Sequence, residues 1–243
     1  MLPLPETGFR WSVNAHNVDL DILCDWIEGS VAFNSSRITQ SEIVDLLCEN
    51  HIYEKQDMAS TRIGDAWAEL RRRMGLLGDG CPFEVNGSRV VRVVRWRDNS
   101  AYAFCVMTSL QACYRSWART FGADYTAQGE LFERLTEESL AFDGWTTHRT
   151  GWSRTKMQKI TGVVSSVAAH IEEEVMANGI PRWTKEEANE AGLDVVCSRP
   201  FGDGRGGRPL YFVQCASGAN WEDKLHTPDL NVWGKLVDFS NPP

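Results

Sequence analysis

A chain of 243 residues is long enough for one large or two small domains with real cores, and 42% hydrophobic against 24% charged residues excludes a disordered segment. A formal net charge of −8 argues against a general nucleic-acid coat, whose affinity rests on neutralising phosphates, yet leaves room for a local basic surface. No apolar run approaches the roughly 18 residues of a membrane span, and "MLPLPETGFR" lacks the charged-then-apolar order of a signal peptide, so the expectation is a cytoplasmic protein that does not touch a membrane.

The first region, residues 1–98, reads as helical and then hairpin-like. "TQSEIVDLLCENHIY" places Ile43, Leu46 and Leu47 on one helical face, with Thr39 or Ser41 as cap. "STRIGDAWAELRRRMGLLG" is a second amphipathic helix through Ile63, Trp67, Leu70 and Met74, stopped by Gly78 and Gly80. "PFEVNGSRVVRVV" predicts two strands about Asn86-Gly87, a strong hairpin signal. Two helices and a hairpin bearing Arg89, Arg92, Arg95 and Arg97 follow the order of a winged helix, a DNA-reading module. The plainer alternatives are a solvated basic face and a helical domain that positions something else.

"SAYAFCVMTSLQACYRSWART" (100–120) predicts one long helix with Phe104, Met107, Leu110, Tyr114 and Trp117 in register, a spine opening the second region, 99–243. "DYTAQGELFERLTEESLAFDGW" predicts a helix with Leu131, Leu135 and Phe142 inward and Gly144 as its stop. Glu130, Glu133 and Glu137 share one face of it. "THRTGWSRTKMQK" then carries Arg149, Arg154, Lys156 and Lys159 with no acid between them. After a helix-rich segment, Leu193–Cys197 and Leu210–Cys215 are two β-type runs around "GDGRGG". That loop joins strand to strand, so it reads as a hairpin turn and not a phosphate cradle, with Arg205 within it and Arg208 just after it the residues that could touch a phosphate. Asp194 lies at the start of the first run and Gln214 at the end of the second.

A helical glutamate, an aspartate opening one strand and an amide closing the next, in "GELFERLTEESLAFDGW", "GLDVV" and "YFVQCASGANWEDK", resemble the PD-(D/E)xK nuclease superfamily, most closely its Mrr-like restriction endonuclease branch. The resemblance covers residues 125 to about 240. It implies an α/β protein in which the helical N-terminal region joins a restriction-endonuclease-like domain with a small central mixed sheet. It also implies a site: Glu133 (Glu130 as fallback), Asp194, Gln214 in place of the family's second acid, and the Cys215 carbonyl, around Mg²⁺ or Mn²⁺. Mg²⁺ takes oxygen ligands at about 2.0–2.1 Å, which suits these groups. Arg149, Arg154, Lys156, Lys159, Arg205 and Arg208 would meet DNA.

Two departures stand out. The family's lysine position is Ala216, and Lys224 is the candidate to have taken its role. The family's helix and further strand after the lysine have only a helix as counterpart in "DLNVWGKLVDFSNPP", so either the last strand is dispensable or a partner or further segment supplies it. The expected activity is Mg²⁺-dependent endonucleolytic cleavage of DNA in restriction or anti-phage defence, with a homodimer or a defence-system protein as partner. The alternative is a catalytically inactive nuclease fold that binds DNA or a partner protein. A rival from another class is a thiol enzyme built on Cys215 with His170 or His226. The seven cysteines, with no C-x-x-C pair, otherwise read as reduced thiols.

Overall fold

The computed structural model describes residues 1–9, 18–122, 124–151, 159–183, 192–202, 207–217 and 224–240. The chain divides into two compact units, 1–123 and 124–243. No helix among the described residues is long and apolar enough to cross a membrane.

In the first unit α1 (Leu20–Gly29) starts at Asp19, whose carboxylate accepts from the backbone N–H groups of Asp21 and Ile22, and it runs on into a π turn over Ser30–Asn34. The short β1 (Arg37–Thr39) leads into α2 (Gln40–Glu49), where Thr39 and Glu42 form a capping box that satisfies two otherwise orphaned donors. Next come α3 (Gln56–Leu77), β2 (Phe83–Asn86) and β3 (Arg89–Arg92). The hairpin turns where Asn86-Gly87 predicts, with Gly87 at φ 58°, a conformation a side chain would strain. The three strands are antiparallel in the order β1-β3-β2.

The unit ends with α4 (Ser100–Gln111) and α5 (Arg115–Phe121). Two expectations are corrected here. The stretch 100–120 is two helices, and its buried stripe is Ala103, Val106 and Leu110, while Met107 faces outward. The boundary also falls after α4 and α5, not at residue 98, because Val106 and Leu110 complete the core of Leu23, Trp26, Ile27, Ile63, Trp67 and Leu70. The close approach depends on Gly29, where a Cβ would stand 2.5 Å from Leu110 Cδ1.

A polar hub ties three of these helices. Arg73 of α3 donates to Asp25 (2.6 Å) and Glu28 (3.2 Å) of α1 and to its own Glu69 (3.0 Å), and Tyr102 of α4 donates to Glu28. Glu28 is 4% exposed. Burial pushes its carboxyl up to about 7, although Tyr102 and Arg73 both pull the other way.

The second unit opens with α6 (Tyr125–Phe142), β4 (Thr146–Arg149), α7 (Ile160–Ile171) and β5 (Glu174–Val175). It continues through α8 (Gly179–Trp183), β6 (Val195–Ser198), β7 (Leu210–Val213), α9 (Leu230–Trp233) and β8 (Val237–Asp238). The unit is α/β, as expected, but its main sheet, β4-β6-β7, is antiparallel throughout and not mixed, since β6 and β7 form a hairpin and β4 returns against β6. All four residues of β6 are buried, as befits a central strand covered on both faces. Strand alternation sends Val196 and Phe212 toward Ile160, Val163, Val167 and Trp233, and sends Arg149 toward Glu137 of α6. The chain's last described element is also a strand and not a helix: β8 pairs antiparallel with β5.

The inward face of α6 differs from expectation. Leu131 and Phe142 are exposed, Phe142 at 96%, and the buried residue is Glu133. The sheet offers α6 a cation, Arg149, beside polar strand ends, so the polar stripe through Glu133, Thr136 and Glu137 turns inward.

The two units carry opposite pH signatures. Glu28 binds its proton more tightly folded than unfolded, so its contribution to stability is full below about pH 4.5 and is lost as pH rises through about 7. In the second unit the stacked rings of His148 and His170 (5.2 Å) are both held below the ordinary imidazole range by burial, and His170 further opposes a proton on His148. Their contribution is present above about pH 6.5 and is lost as pH falls. Melting followed from pH 5 to 8 is expected to show Glu28→Gln flattening the alkaline decline by roughly 2–3 kcal/mol, and His148→Gln flattening the acid decline. Unchanged pH profiles in both variants would contradict these assignments.

Candidate functional site

Asp194 immediately precedes β6 and Gln214 immediately follows β7, and continuing the register Val195↔Val213 sets them opposite each other. Asp194 N–H donates to the Val213 carbonyl (3.0 Å), which extends the ladder to this point. Asp194 Oδ2 then accepts from Gln214 Nε2 and from the Cys215 N–H, both at 2.6 Å. The Asp194 carbonyl in turn accepts from Thr150 N (2.8 Å) and Gly151 N (3.4 Å), just beyond β4, and the Thr150 hydroxyl donates to the Leu193 carbonyl (2.6 Å). The ends of all three strands therefore meet at one aspartate, which is itself 4% exposed.

The helix supplies the second acid. Glu133 reaches Gly151 so closely that a Cβ there would lie 2.5 Å from Oε2 and 2.7 Å from Oε1. Gly151 thus borders both acidic residues, the Glu133 carboxylate through its missing side chain and the Asp194 main-chain carbonyl through its N–H. Burial pushes the Cys215 thiol up to about 12, a hydrogen bond with Thr136 opposes this, and the charges of Asp194 and Glu133 add to it. The fold consequently brings Glu133, Asp194, Gln214 and Cys215 together from one helix and two strand ends.

Lys224 is exposed and opens a turn whose carbonyl accepts from Thr227 N (3.0 Å) and Thr227 Oγ1 (2.7 Å). The same hydroxyl lies 3.4 Å from Gln214 Oε1, so Thr227 links the Lys224 turn to Gln214. Gln128 of α6 donates to the Ser217 carbonyl (3.0 Å), which holds the segment through Ala216 against that helix.

The other expected contacts are scattered. Glu130 is exposed on α6, away from the buried stripe. Arg149 faces Glu137 (3.6 Å) with its side chain 18% exposed, so it braces α6 against the sheet instead of lying on the surface. Arg208 pairs with Glu172 (2.5 Å) beside a groove lined by Leu210, Phe212, His226 and Phe239. Lys159 is exposed at the start of α7. Arg154, Lys156 and Arg205 lie outside the described residues. Of the histidines weighed for a thiol enzyme, His170 stacks on His148 on the α7 side of the sheet, whereas Cys215 meets Thr136 of α6.

Sequence reading missed Thr150, Gly151, Thr136, Gln128 and Thr227. "TG" after a strand was the available signal for the first two, and it was hidden inside a stretch read for its basic residues.

Could these residues hold a divalent cation? The available donors are two carboxylates, one amide oxygen and a backbone carbonyl, a hard-oxygen set that suits Mg²⁺ or Mn²⁺. Among the described residues no three His, Cys, Asp or Glu side chains converge as a metal cage. The Gln214 amide turns its NH₂ toward Asp194, so its oxygen becomes a ligand only once the amide has turned over. Comparison of the chain with protein-family models, with curated proteins and with solved structures returns no match.

The closeness of Gly151 to Glu133 makes a direct test of this construction. Gly151→Val is expected to force the Glu133 carboxylate out of its position and to destabilise the second unit by about 1–3 kcal/mol. Denaturant unfolding measures this, and stability equal to the parent protein would show that Glu133 is not held against Gly151.

Proposed function

We propose that this chain is a metal-dependent endonuclease that hydrolyses DNA phosphodiester bonds in the cytoplasm, in a restriction or anti-phage setting. The observation that carries the reading is the meeting of Glu133, from the middle of α6, with Asp194 and Gln214 at the ends of two paired strands. Its likeness to the PD-(D/E)xK arrangement, a restriction-endonuclease-like domain, supports the substrate and reaction class. Mg²⁺ or Mn²⁺ bound there would polarise the scissile phosphate and lower the pKa of an attacking water.

The chain's own groups have separate tasks. Asp194 and Glu133 place two carboxyl groups at a nearly closed position, where a cation would be the natural complement of their ionised forms. Gln214 and the Cys215 N–H fix the Asp194 carboxylate through two short hydrogen bonds, so its orientation is set before substrate arrives. Lys224, tied to Gln214 through Thr227, is the ammonium that offsets negative charge developing on the phosphate and orients the water. Exposed arginines and lysines around the unit would contact the DNA backbone, and a second copy would allow both strands to be cut.

Two observations favour a second reading, an inactive nuclease fold that binds DNA or a partner protein. Ala216 occupies the family's lysine position, and the Gln214 NH₂ occupies an Asp194 oxygen. The thiol enzyme is disfavoured, because a Cys215 thiol held at about 12 by burial and two nearby carboxylates is a poor nucleophile at neutral pH.

Plasmid cleavage with Mg²⁺ or Mn²⁺ separates these readings. Asp194→Ala is expected to abolish cleavage, Lys224→Ala to reduce it by about 10²–10³-fold, and Cys215→Ser to leave it within a few-fold. Full activity in Asp194→Ala would end the nuclease reading, and absence of cleavage by every form would favour the binding subunit.

A further inference from the structure

The first unit has an order of its own. Helix, strand, helix, helix and hairpin (α1-β1-α2-α3-β2-β3), with an antiparallel sheet in the order β1-β3-β2, is the arrangement of a winged helix. We infer that residues 20–92 form a duplex-DNA-reading module, with α3 in the major groove and the β2–β3 hairpin against the adjoining phosphates. The inference stands on the first unit alone, and it extends the proposed activity by naming the form of DNA that the chain grips.

Three observations carry it. Arg71 on the outer side of α3 donates to the Gly87 carbonyl at the hairpin tip (3.1 Å), and Gln40 N in the first turn of α2 donates to the Ser88 carbonyl (2.9 Å). The start of α2, the outer side of α3 and the wing are therefore one continuous surface. That surface bears the exposed arginines Arg37, Arg71, Arg72 and Arg89. The acids nearest this arginine end are engaged: Glu69 with Arg72 and Arg73, Glu84 with Asn86, and Glu42 in the Thr39 cap. Asp57 and Asp65 lie further toward the start of α3, so the phosphate-binding end is the wing end.

The outer side of α3, opposite Ile63, Trp67 and Leu70, is exposed and carries Ser60, Thr61, Gly64 and Ala68 ahead of Arg71. A helix about 10–12 Å across fits a major groove about 12 Å wide when its leading side chains are short. A protein partner would instead call for large apolar anchors at the centre of the contact.

Gly64 makes the test clean, because a Cβ there meets nothing within 4 Å and leaves the fold undisturbed. Fluorescence anisotropy would use the full chain carrying Asp194→Ala, so that no cleavage confounds it, with a 30-base-pair duplex and a single strand of equal length. The expected result is preference for the duplex, a loss of at least about tenfold in Gly64→Glu, and a fall of about one in the log–log salt slope for Arg89→Ala. Unaltered melting confirms that the variants are folded. Duplex binding unchanged in both variants, or no preference for duplex over single strand, overturns the inference, and capture of a protein in place of DNA does the same. If cleavage persists without duplex binding by this surface, the module fails while the nuclease stands; if duplex binding persists without cleavage, the reverse holds.

Discussion

The register of β6 against β7 is the constraint on which the candidate site depends. Asp194 and Gln214 are twenty residues apart, and they meet because Val195 pairs with Val213 and the ladder continues one step further. A slip of one residue would send every side chain of a strand to the opposite face. The site would vanish even though its residues remained. Two features hold the register. β6 is buried at every position, so a slip exposes its apolar residues or buries polar ones. Beyond the strands, the hydrogen bond from Arg199 N to the Pro209 carbonyl continues the pairing toward the turn, and the Trp145 ring packs tilted against Tyr211 with the Arg199 guanidinium over the Trp145 ring. Pairing at one end of the hairpin thus fixes chemistry at the other.

The two units bury polar groups for different ends. In the first, Arg73 gathers Asp25, Glu28 and Glu69 while Tyr102 closes over Glu28, joining α1, α3 and α4. The desolvation cost of such a group offsets much of its Coulomb gain, so its contribution lies more in fixing how the helices face one another than in net stability. The apolar core of Trp26, Trp67 and their neighbours supplies the driving force. In the second unit the buried Asp194 lies at a strand end and the buried Glu133 on the sheet-facing side of α6. There Glu133 occupies the space beside Gly151, and the Asp194 carboxylate accepts from the Cys215 N–H and the Gln214 amide.

Legibility in the sequence followed the range of the interactions. The Asn86-Gly87 hairpin, the Thr39 cap and the β6–β7 hairpin were readable because turn and cap chemistry acts over a few residues. Glu133, Asp194, Gln214 and Cys215 were singled out through the resemblance to the PD-(D/E)xK pattern, and the fold brings the four near one another. What the pattern left out was long-range. That α4 belongs to the first unit depends on Gly29 leaving room for Leu110, some eighty positions later. The inward face of α6 was misassigned because hydrophobic period was given priority over polar partners, and the sheet happened to present Arg149. Gly151 carries no chemistry of its own, and its meaning appears only when the Glu133 carboxylate is found in the space its Cβ would fill.

Gln214 can now be understood from the neighbours of Asp194. A glutamate in the same position would put a second anion within about 3 Å of the Asp194 carboxylate, and like charges so close force one of them to hold a proton unless a cation stands between them. An amide removes that conflict, since its NH₂ donates to Asp194 Oδ2 alongside the Cys215 N–H. The carboxylate is thereby oriented by two donors at the end of β7. The same choice weakens electrostatic attraction for a divalent ion, because the site then carries two carboxylates instead of three, and turning the amide over to offer its oxygen gives up one of the bonds to Asp194. In the proposed metal site Glu133 would be the group to compensate, and a metal role there would account for a helix exposed along much of its length burying a glutamate at this one turn. On that reading, pre-organisation by Gln214 and a carboxylate from Glu133 are complementary.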